Sequence, residues 1–139
     1  MEIRRAEKED LEGCVKLNDL AFKKDRRKFL EPHIRHQRMY VAVDANRVVG
    51  FITFETTFIG CLYISLLMVH PDCRRRGIAR KMIETVASHS ENGKLFSSTE
   101  ADNEISIKMH ESLGFIKSGY VDNLPQQTRE LIYYKNLRP

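Results

Sequence analysis

Cysteine is scarce in this chain of 139 residues. Its three copies, Cys14, Cys61 and Cys73, are widely spaced and odd in number. They form no C-x-x-C pair and match no zinc-ligand spacing, which excludes a disulfide framework and a structural zinc site. No other His/Cys/Asp cluster has ligand spacing, so no metal is expected. Long apolar runs are also missing, and none approaches the ~18 residues of a membrane span. The opening MEIRRAEKEDLEG lacks the apolar stretch of a secretory signal. Reduced thiols, a cytoplasmic location and no membrane partner are the expectations. Neither sign of charge dominates, with 23 basic and 19 acidic residues giving +4. That balance suits an anionic ligand and argues only weakly for nucleic acid.

What is present describes a globular domain. Hydrophobic residues make up 42% and charged residues 30%. At this size roughly two-thirds of the unfolded surface is buried on folding. No repeat, linker or low-complexity tract divides the chain, so a single domain over 1–139 is expected.

Glu2 to Ala6 reads as a short strand. Lys8 to Phe22 reads as a helix, with Leu11, Cys14, Val15 and Phe22 recurring on one face. The basic run Lys23 to Lys28 reads as a solvated helix face, and Pro32 is expected to interrupt any long helix there. Met39 to Asp44 and Arg47 to Thr56 form a hairpin around Ala45-Asn46. Cys61 to Val69 is a third strand, ended by His70-Pro71-Asp72. Gly77 to His89 is an amphipathic helix. Leu95 to Thr99 is a strand, and Asn103 to Leu113 is a helix stopped by Gly114. Phe115 to Val121 and Arg129 to Leu137 make a last antiparallel pair across the Pro125 loop. The order predicts an α/β fold: a mixed, mostly antiparallel twisted sheet with helices on both faces.

The informative segment is VHPDCRRRGIAR, Val69 to Arg80. Strand, turn, glycine and helix follow in succession. Free backbone N–H groups gather at such a helix start with the helix dipole behind them, a ready anion site. Gly77 allows close backbone approach, and Arg74, Arg75, Arg76 and Arg80 add positive charge. Neither a G-x-x-x-x-G-K-[ST] loop nor a G-x-G-x-x-G fingerprint is present.

Two motifs together resemble the GNAT superfamily of acetyl-CoA-dependent N-acetyltransferases. Val69-x-Pro71 and then Arg74-x-x-Gly77-x-Ala79 match the family's V-x-P and [QR]-x-x-G-x-[GA]. Downstream, Asn103, Ser106, His110 and Gly114-Phe115 match N-x-x-[AS]-x-x-x-Y-x-x-x-G-F, with His110 in place of the tyrosine. The ending Tyr133 to Leu137 is similar to the family's last strand.

The resemblance implies two central parallel strands, Cys61–Val69 and Leu95–Thr99, that splay to admit acetyl-CoA. The pantetheine arm would pair with Leu67, Met68 and Val69 as a peptide adds to a sheet edge. The pyrophosphate would lie on the N–H groups of Arg75, Arg76, Gly77, Ile78, Ala79 and Arg80. Asn103 would contact the cofactor; by its position it is also an N-cap. His110 lies about two helical turns from Asn103, on the same face. In the family's pattern it would protonate the leaving thiolate, and its plain reading is an ordinary helix histidine.

The general base stays open. Ribosomal-protein N-terminal acetyltransferases, which the central motifs resemble, carry a glutamate five residues before the asparagine. Ser98 stands there in this chain. Glu100 is on the same strand face. Glu55 and a water held by Tyr63 are the other candidates. Cys73 and His70 are not needed for direct transfer.

The expected function is transfer of an acetyl group from acetyl-CoA, as cosubstrate, to a primary amine by direct attack. The amine would be a small molecule or a protein, and the resemblance also allows a homodimer. The alternatives are a non-catalytic acyl-CoA-binding module and, from RRRG and KKDRRK, a nucleic-acid-binding domain. The latter lacks an aromatic-studded basic strand or a recognition-helix pattern.

Overall fold

The structure, a computed structural model, describes residues 1–22 and 24–138. In chain order the elements are β1 (Glu2–Arg5), α1 (Leu11–Asp19), α2 (Arg27–Arg35), β2 (Met39–Asp44), β3 (Arg47–Phe58), β4 (Cys61–Val69), α3 (Ile78–Ala87), β5 (Lys94–Glu100), α4 (Glu104–Ser112), β6 (Ile116–Val121) and β7 (Glu130–Asn136). The sheet has seven strands in the order β1-β2-β3-β4-β5-β7-β6. This is the expected mixed α/β class, with one parallel pair, β4 with β5.

The chain divides into two compact units, residues 1–55 with 65–88, and residues 56–64 with 89–139. In the first, β2 and β3 pair antiparallel through a turn at Ala45 (φ 50) and Asn46 (φ 60). Two left-handed residues in succession match the right-handed twist of the strands they join. The α1 and α2 side chains Cys14, Val15, Leu17 and Leu30 cluster with Met39, Val41 and Phe51. Gly50 neighbours Phe51 and so faces the other way. A Cβ there would meet Ile78 Cγ2 at 3.4 Å and Met82 Cε at 3.2 Å. Helices therefore cover both faces of this part of the sheet.

Several expected boundaries moved: α1 ends at Asp19 rather than Phe22, α3 spans Ile78–Ala87 rather than Gly77 to His89, and β3 runs on to Phe58 rather than Thr56. The helix placed at Lys8 begins as a 3-10 turn, Lys8–Asp10, and α1 starts at Leu11. Asp10 Oδ2 accepts the Glu7 backbone N–H at 2.6 Å and both Asp10 oxygens bind the Arg4 guanidinium, which holds the tighter turn in place. Pro32 does not end α2 but lies inside it. The helical bond that proline cannot make would have gone to the carbonyl of Lys28, an exposed residue, while buried Leu30 anchors the helix. Of the basic run, Lys23 lies outside the described residues; Arg27 pairs with Glu12 on α1.

In the second unit, Leu62–Ile64 of β4 pairs parallel with Leu95–Ser97 of β5. β5 pairs antiparallel with β7 along its whole length, from Lys94↔Asn136 to Glu100↔Glu130. Side chains directly opposite share a face, and alternate residues switch face. Tyr63, Phe96, Ser98, Glu100, Glu130 and Tyr134 therefore lie on one face. Ser97 and Tyr133 lie on the other, where α4 packs.

Candidate active site

In the first unit, β4 runs to Val69 and enters a 3-10 turn, Pro71–Cys73, before α3. His70 Nδ1 accepts the Asp72 backbone N–H at 3.1 Å, so the His70 ring caps that turn. Cys73 is buried, with the Arg47 guanidinium 3.9 Å from its sulfur. Both residues are thus structural at this turn.

Arg75 (φ 65) and Gly77 (φ 78) are left-handed, and Arg76 between them is not. Alternation of this kind turns successive backbone N–H groups toward one concavity. Gly77 caps α3, and its carbonyl accepts the Lys81 N–H at 3.1 Å. The N–H groups of Ile78, Ala79 and Arg80 have no acceptor within the helix. A Cβ at Gly77 would meet nothing within 4 Å, so the space in front of the cap is open. Arg74, Arg75 and Arg80 are exposed beside it. Arg76 is exposed too, but its guanidinium donates to Asp44 at 3.1 Å, and that bond raises its pKa. Leu67, Met68 and Val69 belong to the same unit at the end of β4. The Met68 carbonyl lies 3.1 Å from a Cβ built on Gly50, a close approach that the missing side chain permits.

The remaining expected site residues fall in the second unit. Asn103 Oδ1 accepts the Ser106 N–H at 3.1 Å, which makes it the N-cap of α4 and leaves its amide NH2 to donate elsewhere. His110 is 4% exposed. Its Nδ1 donates to the Ser106 carbonyl at 2.7 Å, so in the neutral ring Nε2 accepts from the Ser97 hydroxyl at 2.8 Å. The ring stacks on Tyr133 at 4.7 Å and meets Phe115 edge-on at 5.3 Å. Burial lowers its pKa, opposed by the Ser106 carbonyl. A neutral ring with both nitrogens engaged ties α4 to β5 and β7; this geometry gives no support to proton donation. Glu100 is exposed and accepts from the Thr128 hydroxyl. Glu55, in the first unit, is held by His33 Nε2 at 2.7 Å.

The model of the acetyltransferase (GNAT) family matches residues 3–115. The chain belongs to the GNAT family. A GNAT-family acetyltransferase from Bacillus cereus ATCC 10987 is 34% identical over 99% of this chain and 98% of its own, with a TM-score of 0.87. Ard1 from Thermoplasma volcanium covers the same shares at 16% identity and a TM-score of 0.86. An aminoglycoside 6'-N-acetyltransferase complexed with coenzyme A covers 100% of this chain and 98% of its own at 18% identity and a TM-score of 0.81. These last two share the fold. No match was found among curated proteins. Among the described residues of this GNAT chain, no helix is long and apolar enough to cross a membrane, and no group of three or more His, Cys, Asp or Glu could hold a metal ion.

One polar constellation of this GNAT domain escaped the reading of its sequence. Ser98 is hydrogen-bonded to both Tyr63 and Glu130. The only signal for Glu130 in the sequence is its place at the start of the last strand. Its partner there depends on the β5–β7 register.

Proposed function

We propose that this GNAT domain transfers an acetyl group from acetyl-CoA to a primary amine by direct attack, with no covalent acetyl-enzyme. The observation that carries this reading is the open, left-handed Arg75–Gly77 turn at the head of α3. It presents N–H groups and a helix dipole, with arginines around it, to the pyrophosphate. Leu67, Met68 and Val69 take the pantetheine arm by strand addition, and the Met68 N–H meets the developing oxyanion. Arg74, Arg75 and Arg80 supply charge to the phosphates, and Arg76 does so only by leaving Asp44. The Asn103 amide donates to the cofactor while its oxygen caps α4. Proximity is the main contribution, since a thioester is already activated. His110 holds α4 in place. Glu100, exposed on the face that carries Tyr63 and Ser98, draws a cationic amine toward that face. The acceptor is a small-molecule or protein amine, and a cytoplasmic location fits free thiols at Cys14, Cys61 and Cys73.

The test is thiol release from acetyl-CoA across a panel of free-amine peptides, polyamines and an aminoglycoside, with products identified by mass spectrometry. Acetylated amine with stoichiometric thiol is the expected result. Acetyl-CoA binding without transfer to any amine would make the chain an acyl-CoA-binding module instead.

A further inference from the structure

We infer that Asp44 limits how tightly this domain holds coenzyme A, by keeping the Arg76 guanidinium for itself until a phosphate displaces it. This rests on the reading of the Arg75–Gly77 turn above and names a control on that same site. Four arginines, Arg74, Arg75, Arg76 and Arg80, stand at or beside the turn. Among the described residues, a carboxylate pairs with only one of them. Arg76 Nη2 donates to Asp44 Oδ2 at 3.1 Å. Asp44 Oδ1 also lies 3.9 Å from the Met1 ammonium, beyond hydrogen-bond length, so Arg76 is its close partner. Both side chains of the pair are partly exposed, Arg76 by 47% and Asp44 by 33%. An exposed pair of this kind is weak enough to exchange partners with a bound anion.

The surroundings separate what Asp44 does from what holds the turn. Asp44 ends β2, and Arg47, directly opposite, begins β3. Both reach the segment between β4 and α3, Arg47 toward the Cys73 sulfur at 3.9 Å and Asp44 to Arg76. Further along the same hairpin, the Val49 carbonyl accepts the His70 N–H at 2.8 Å. All these residues lie in one compact unit. The Val49 bond grips the main chain and Arg47 meets a buried side chain, so these two set the path of the segment. Asp44 grips only the end of a long, exposed side chain. Its loss leaves the turn in place and changes where the guanidinium goes.

Charge decides the direction of the effect. A carboxylate beside an anion site opposes the anion, and its bond to Arg76 must break before Arg76 can meet a phosphate. The guanidinium then trades one charged oxygen for another, so the net gain in affinity is small. Without the carboxylate, the same guanidinium meets the phosphate with no bond to give up. Acetyl-CoA and coenzyme A carry the same phosphates. A tighter grip on the cosubstrate is equally a tighter grip on the product, so Asp44 speeds the departure of coenzyme A after transfer.

The experiment measures binding of acetyl-CoA and of coenzyme A to the full chain by calorimetry, and release of coenzyme A by stopped flow. Asp44→Asn keeps the size of the side chain and removes its charge. It should bind both ligands about threefold to tenfold more tightly and release coenzyme A more slowly by a similar factor. The gain should shrink as salt is raised. Arg76→Gln separates exchange from plain charge repulsion. In that background, Asp44→Asn should alter affinity by less than about twofold, because only a coupled pair departs from additivity. Equal tightening with and without Arg76 overturns the exchange. So does an Asp44→Asn variant that binds as the wild type does, or more weakly. If the wild type binds neither ligand, or Gly77→Glu binds them as well as the wild type, the reading of the turn fails and the inference falls with it.

Discussion

His110→Ala should weaken the fold by about 3–5 kcal/mol, the range for truncating a buried aromatic-sized side chain. The ring is 4% exposed and lies between Tyr133 and Phe115, so its removal leaves a void that the α4–sheet contact cannot fully close. The Ser97 hydroxyl, also buried, loses its acceptor, and an orphaned buried donor costs roughly 1–3 kcal/mol within that total. His110→Phe keeps most of the volume and should cost only the latter amount. Burial holds the folded-state pKa of His110 below its ordinary value. The unfolded chain therefore binds more protons on lowering the pH. The contribution is fully present above about pH 6.5 and is lost as pH falls through the folded-state value. Urea unfolding of the wild type should show midpoints that drop in that window, and the part due to this ring should vanish in His110→Phe. Wild-type midpoints for His110→Ala would refute the tether. A well-folded His110→Phe that keeps acetyl-CoA affinity but loses about 10²-fold in transfer would make the ring a proton donor after all.

Gly77→Glu should abolish acetyl-CoA binding in calorimetry while the protein stays folded, because the new side chain enters open space that the proposed site gives to the phosphates. Gly77→Ala, which adds only the left-handed strain of about 1 kcal/mol, should bind nearly as well as the wild type. Incubation with acetyl-CoA alone should leave the protein mass unchanged, and Cys73→Ala should retain most of the transfer rate. For Asp10, burial pushes the carboxyl up, but Arg4 and the Glu7 N–H together outweigh it and hold the pKa low. This pair contributes stability above about pH 4 that is lost as pH falls through the folded-state value. Asp10→Asn should lower the urea midpoint at pH 7 by the equivalent of about 1–3 kcal/mol and flatten that acid limb.

The residues alone determined a great deal that is local. The two β-rich runs Met39–Asp44 and Arg47–Thr56, the polar Ala45-Asn46 turn between them, and the apolar face of the helix read at Gly77–His89 each follow from residue type or from the 3.6-residue period. The turn before α3 was legible for the same reason, since strand, Gly77 and helix start are contiguous in the chain. Family membership could be read because two motifs stand in order along one sequence. Where the polar atoms meet was another matter. The engagement of Arg76 by Asp44, the burial of His110 against Ser97 and Tyr133, and the reach of Glu130 to Ser98 join residues 13 to 32 positions apart. Each depends on strand register or on which face of a strand a helix covers. Slipping β7 by one residue against β5 would turn Glu130 to the α4 face and Tyr133 away from His110. Periodicity assigns a side chain to one of two faces. Only the packing of distant segments decides what stands opposite it.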